Sequence, residues 1–344
     1  MTAETAGTGL QTHHVYRGTG VPHDGIERLP PPPPWRDFGN AGTLGDGPRP
    51  PLHPPPEPVD VGTSLQRARS YKPDASVVDV VNAALILRRP LLVTGLPGTG
   101  KSTLAYSIAY ELRLGPVLYW PITRSSVLRN GLYEYDAIGR LQETNIAASG
   151  GTRPADIGSF IRLGPLGTAL LPARFPRVLL IDQLDQSDFD LPNELLSVME
   201  EGEFQIPELM RIAGAEPAAT VLTSDGRRVV VPDGRVRCHA FPMIVITSNG
   251  EREFPPGFLR RCLRLGIAPP GLAQLVDIVA AHLGPDMTAR SGELIENFLR
   301  NRTRGDVGVD QLLNAIYLAT SWDGPDARRL ADALLMTTEA DGDE

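Results

Sequence analysis

The chain has 344 residues, a formal charge of −8, 33 prolines and two cysteines. Its length accommodates one large or two modest domains with a buried core. An acidic balance without a basic tract leaves no electrostatic footprint for nucleic acid or an anionic membrane, so neither is expected as a partner.

The first residues, "MTAETAGTGLQTHH", have no basic start and no apolar stretch, and no run of about 18 apolar residues occurs anywhere, so a cytoplasmic protein is expected. Residues 1–70 carry "LPPPPPW" and "GPRPPLHPPPEP". Such a segment favours polyproline II and cannot repay its ordering entropy with a packed core, which predicts a largely disordered arm. The plain expectation is an extended tether; docking on its own body, on a neighbour or on a proline-binding module stays open.

From Tyr71 the texture changes. Val77, Val81, Ala84, Leu85 and Ile86 recur at helical spacing after Pro73 and Asp74, predicting a four-turn helix. Next come "RRPLLVTG" (88–95), a helical "KSTLAYSIAYELRLG" (101–115), and the apolar runs "PVLYWPI" (116–122), "RVLLID" (177–182) and "PMIVITSN" (242–249). Unalternated β-branched runs of this length suit strands buried on both faces of a parallel sheet. "SSVLRNGLYEYDAIGRL" (125–141) brings Tyr133 and Tyr135 together, either as a client-gripping loop or as core. "LPNELLSVMEEGEF" predicts a helix ended by Gly202, and the pairs Asp225-Gly226 and Asp233-Gly234 punctuate an inserted hairpin. Cys238 and Cys262 lack companion ligands and read as idle thiols. The chain therefore divides into the arm, an α/β domain at 71–268, an all-helical lid at 269–336 with three helical stretches, and an acidic tail at 337–344.

"GLPGTGKS" (95–102) satisfies G-x-x-x-x-G-K-[ST] between a predicted strand and a predicted helix. Gly95, Pro97, Gly98, Thr99, Gly100, Lys101, Ser102 and Thr103 form the expected phosphate cradle for ATP. Its glycines let backbone N–H groups surround phosphate oxygens, and the helix start adds unpaired donors and a positive dipole end. Lys101 would reach the β and γ phosphates, while Ser102 and Asp182 would hold Mg²⁺. Asn249, at the end of its strand, is either placed to orient the attacking water or serves as a turn-forming residue before Gly250. Arg260 and Arg261, in "PPGFLRRCLR", can reach a neighbour's nucleotide in a ring, or stay solvated or salt-bridged. A P-loop kinase or small GTPase explains neither "TSN" nor "FLRR", and no guanine-reading N-K-x-D occurs.

In this order, the P-loop, the aspartate strand, "TSN", "FLRR" and the helical lid resemble the AAA+ ATPases. "GPLGTALL" (164–171), "LPNELL" and "LLSVMEEGEF" (195–204) resemble the MoxR-type branch. The resemblance covers residues from about 75 to 330. It implies a P-loop core with helical lid, a ring that is most often a hexamer, and chaperone-like remodelling of protein partners, often ones with a von Willebrand factor A domain. Two positions depart from the pattern. Gln183 stands where the family has the glutamate that polarises water, and Val309 aligns with the lid arginine, leaving Arg302 or Arg304 as substitutes. A carboxamide holds a water but cannot accept its proton, and losing a positioned general base costs roughly 10²–10⁴ in rate. Removing a like charge beside the γ phosphate also favours retained ATP. The expectation is a tight ATP binder with slow or partner-dependent hydrolysis, the alternative an ATP-locked scaffold.

Overall fold

The computed structural model describes residues 14–38, 68–69, 71–150, 155–301, 308–322 and 325–335. Among the described residues eleven strands form: β1 (Leu91–Thr94), β2 (Leu118–Pro121), β3 (Tyr133–Tyr135), β4 (Ile161–Leu163), β5 (Val178–Asp182), β6 (Glu203–Gln205), β7 (Ala218–Leu222), β8 (Arg228–Pro232), β9 (Arg235–Arg237), β10 (Met243–Ser248) and β11 (Leu263–Gly266). Five of them form the central parallel sheet, in the order β11-β1-β10-β5-β2.

The apolar runs bury both faces because successive strand residues point to opposite sides. Leu91 and Val93 pack with Leu180 and Val245 against Val81, Leu104 and Ile108 of the helices Ala75–Leu87 and Lys101–Glu111. Leu92 joins Ile181, Ile244 and Ile246 on the other face, against Leu191 and Leu195 of the helix Asp190–Glu201. Parallel pairing places Val93 opposite Thr247 and Pro121 opposite Asp182, so the strand ends gather at one edge of the sheet. This is the expected α/β P-loop NTPase architecture.

β11 was not expected. "LRLG" is short, and only Leu265 of it is buried, so its sequence carries little strand signal; its parallel pairing with β1 at the sheet edge creates it. A second sheet, β3-β4-β7-β8, was likewise only half legible. The turn at Asp225-Gly226 joins β7 and β8 as an antiparallel hairpin, whereas after Asp233-Gly234 strand β9 leaves it and pairs with β6. Tyr133 lies buried in β3 and donates through its hydroxyl to Glu208, so it serves packing.

Residues 272–334 form five helices among the described residues, with Leu275, Phe298, Leu312 and Ile316 in their own core. Arg302, Arg304 and the acidic tail lie outside the described residues.

The described part of the proline-rich arm, 14–38, does not extend away as a tether but lies on the α/β body. Val15, Tyr16 and Ile26 are buried in the core beneath helices Ala75–Leu87 and Lys101–Glu111, and Phe38 stacks on Phe241. Composition counts the prolines, but the few apolar side chains between them find partners, and buried side chains satisfy the backbone around them. Asn82 accepts from the amides of Val15 and Tyr16 and donates to the Tyr16 carbonyl. Residues 1–13, with His13, and 39–67 lie outside the described residues.

Candidate nucleotide-binding site

A cleft of about 810 Å³ opens between the carboxyl edge of the central sheet and the lid. Pro97, Gly98, Thr99, Gly100, Lys101, Ser102 and Thr103 line it together with Asp182, Gln183, Thr247 and Asn249. Gly98 and Gly100 have φ of 73° and 85°, in the left-handed region that a side chain strains to adopt. At Gly98 a Cβ would also come within 2.8 Å of the Val309 amide nitrogen, so the lid helix Val309–Ser321 seats directly on the loop.

Lys101 begins the helix after the loop and is almost fully buried. Its Nζ donates to the carbonyls of Gly95 (2.8 Å) and Leu96 (2.7 Å). Burial pulls its pKa below the usual ammonium range, and the charges of Asp185 and Asp182 oppose that shift. A desolvated cation held by carbonyl oxygens is suited to an arriving polyanion.

Asp182, at the tip of β5, is the hub. Ser102 Oγ and Thr247 Oγ1 both donate to its Oδ1 at 2.7 Å, and Tyr119 Oη donates to its Oδ2 at 3.3 Å. Ser102 and Asp182 thus present two oxygens side by side, the donor set a hard cation such as Mg²⁺ takes. The residues fit a magnesium-bound triphosphate: Ser102 and Asp182 toward the metal, Lys101 and the loop amides toward the phosphates.

Gln183 follows in the left-handed region, with φ 60° and ψ 51°, and its amide donates to Thr247 Oγ1 at 2.8 Å. Thr247 therefore bridges Asp182 and the Gln183 turn. Asp185, buried, accepts from the amides of Asn249 (2.9 Å) and Glu251 (3.1 Å), tying the exit of β10 to the turn after β5. Sequence reasoning did not select Thr247, Tyr119 or Asp185 for this network. Thr247 belongs to the quoted "TSN", and parallel pairing opposite β5 was the available signal; Tyr119 carried none.

Arg260 and Arg261 do not join the cleft of their own chain. Arg261 pairs with Glu200, and Arg260 is exposed, its guanidinium making no ion pair among the described residues. The lid wall brings Asp277, His282, Val309 and Asp310 to the cleft.

A family model for the AAA domain (dynein-related subfamily) matches residues 90–262, which include the phosphate loop, Asp182, Asn249 and both arginines. The chain belongs to this family. Nucleotide binding is accordingly the function of this AAA domain, and ATP with Mg²⁺ is what such domains generally bind. No curated protein matches the chain. Among solved structures, 307 chains match. One is NtrX from Brucella abortus, at 17% identity and a TM-score of 0.37, the match covering 69% of this chain and 47% of that one. This chain thus corresponds to about half of that protein's length. No helix among the described residues of the AAA domain protein is long and apolar enough to cross a membrane.

Proposed function

We propose that this protein is a MoxR-like AAA+ ATPase that binds Mg·ATP tightly, hydrolyses it slowly, and in the ATP state assembles as a ring, most often a hexamer, to remodel a protein partner in the cytoplasm. The observation that carries the kinetic part is Gln183. It lines the cleft beside Asp182, in a left-handed turn held by Thr247. A carboxamide there donates to or accepts from a water but takes no proton from it. Phosphoryl transfer depends mostly on positioning and charge stabilisation, and water-orienting glutamines support turnover of ~10⁻⁴ to 10⁻² s⁻¹ in GTPases. Slow turnover follows, with Asn249 as the second group that orients the water. A partner with a von Willebrand factor A domain is the client class that the MoxR likeness suggests.

The geometry also separates the two arginines as candidates for action across a subunit boundary. Both are exposed, but Arg261 is engaged by Glu200 of its own chain while the Arg260 guanidinium makes no ion pair among the described residues, which favours Arg260. The second reading, an ATP-locked scaffold with negligible hydrolysis, rests on the same glutamine. Steady-state ATPase assays decide between them. In the first reading wild type turns over measurably above background and Gln183→Glu raises the rate by about 10²-fold or more. A wild-type rate at background, restored by Gln183→Glu, selects the scaffold; brisk wild-type turnover that Gln183→Glu leaves unchanged removes both.

A further inference from the structure

The nucleotide-binding reading leaves unexplained a fully buried carboxylate. Glu111 ends the helix that Lys101 begins, on the side away from the phosphates, and is 0% exposed. Its Oε1 accepts from the amides of Arg17 (2.6 Å) and Gly18 (3.0 Å), and its Oε2 from those of Thr19 (2.7 Å) and Gly20 (3.0 Å). The Thr19 hydroxyl (3.3 Å) and His23 Nε2 (3.2 Å) complete the shell. A carboxylate enclosed by successive backbone N–H groups is a strong, directional fastening, because charge-assisted hydrogen bonds gain where water is excluded. Tyr16 adds a second fastening through its hydroxyl to Ser107 Oγ at 2.8 Å.

What this fastening holds in place lies beside the cleft. Gly18 has φ 70°, and a Cβ there would come within 2.4 Å of Pro73 Cγ. A Cβ at Gly20, with φ 67°, would come within 3.1 Å of the carbonyl oxygen of Arg69. The strap therefore presses on the back of the segment whose front, Tyr71 to Asp74, lines the cleft. Tyr71 in turn lies against Gly100 of the phosphate loop, its ring 3.4 Å from where a Cβ would stand. The cleft's phosphate end is polar, while Tyr71, Pro73 and Val77 offer the aromatic and apolar surface that a base requires.

We infer that the N-terminal strap, fastened by Glu111, is a positioning element of the nucleotide site: it sets the wall that receives the base, and its release lowers nucleotide affinity without disturbing the phosphate cradle. This rests on the nucleotide-binding reading above. Glu111 is a positioning residue, acting through Arg17–Gly20 and Pro73 and touching no ligand itself.

The test is isothermal titration of the full chain with Mg·ATP and, separately, with Mg·tripolyphosphate, which engages the cradle but has no base. For Glu111→Ala and for Gly18→Ala, ATP affinity should fall about tenfold while tripolyphosphate affinity stays within about twofold. Gly18→Ala keeps the Glu111 carboxylate but strains the φ 70° turn and crowds Pro73 and Val78, displacing the strap locally, so it carries the test if Glu111→Ala does not fold. Equal losses for both ligands, or unchanged ATP affinity in Gly18→Ala, overturn the inference. Wild type binding tripolyphosphate but gaining nothing from the base also overturns it, whereas wild type binding neither ligand overturns the nucleotide-binding reading beneath it.

Discussion

Thr247 shows how much of the site rests on a single hydroxyl. It accepts from the Gln183 amide and donates to Asp182 Oδ1, and it is fully buried. Valine has nearly its shape but neither hydrogen-bonding function, so Thr247→Val leaves the amide of a left-handed residue without an acceptor. An unsatisfied buried polar group costs about 1–3 kcal/mol, and urea unfolding of the variant should show a loss of that size. A loss below about 0.5 kcal/mol would mean that the Gln183 turn holds itself. Gln183 is the opposite case. Its backbone is fixed by Thr247, but its chemistry is set by one atom, the amide nitrogen in place of a carboxylate oxygen.

At the scale of elements, the short helix Pro256–Arg261 carries two adjacent arginines with different surroundings. Neighbouring helical positions point in different directions, and only Arg261 meets Glu200 on the helix Asp190–Glu201. The pair is nearly half exposed, so its contribution to stability is small. In the Gln183→Glu background, where turnover is fast enough to follow, Arg260→Ala should lower the ATPase rate about 10³-fold or more with ATP affinity unchanged, as removal of an arginine finger does. Arg261→Ala should cost much less. A reversed order would show that the Glu200 pair opens in the working assembly and that Arg261 is the residue acting across the boundary.

At the scale of the whole molecule, the cleft belongs to no single element. One wall comes from the phosphate loop and sheet edge, one from the segment Tyr71–Asp74 backed by the strap, and one from the lid, whose Gly308–Val309 backbone rests against Gly98. A ligand filling it bridges α/β body and lid, and binding energy gained on both is available to fix their relative position. Ring assembly in the ATP state should follow. Light scattering should give a larger mass in Mg·ATP than without nucleotide, and a monomeric mass under both conditions would remove the ring from the proposed function.

The phosphate cradle was readable from "GLPGTGKS" because its chemistry is local: glycines, a lysine and a hydroxyl at fixed spacing form the same loop wherever a strand precedes and a helix follows. The apolar runs around Leu92, Leu180 and Val245 were readable for a similar reason, since a strand buried on both faces has no room for polar residues. Nothing local distinguishes Thr247 as the bridge between Asp182 and Gln183, or Tyr119 as a donor to Asp182; only the pairing of β10 and β2 with β5 brings them there. The same holds more sharply for residues 14–38. Proline content argues for an open chain, because composition measures the entropy of ordering but not the partners that repay it. Glu111 and Asn82, on two helices far along the chain, supply acceptors for the amides of Val15 to Gly20, and those partners exist only once the helices have packed on the sheet.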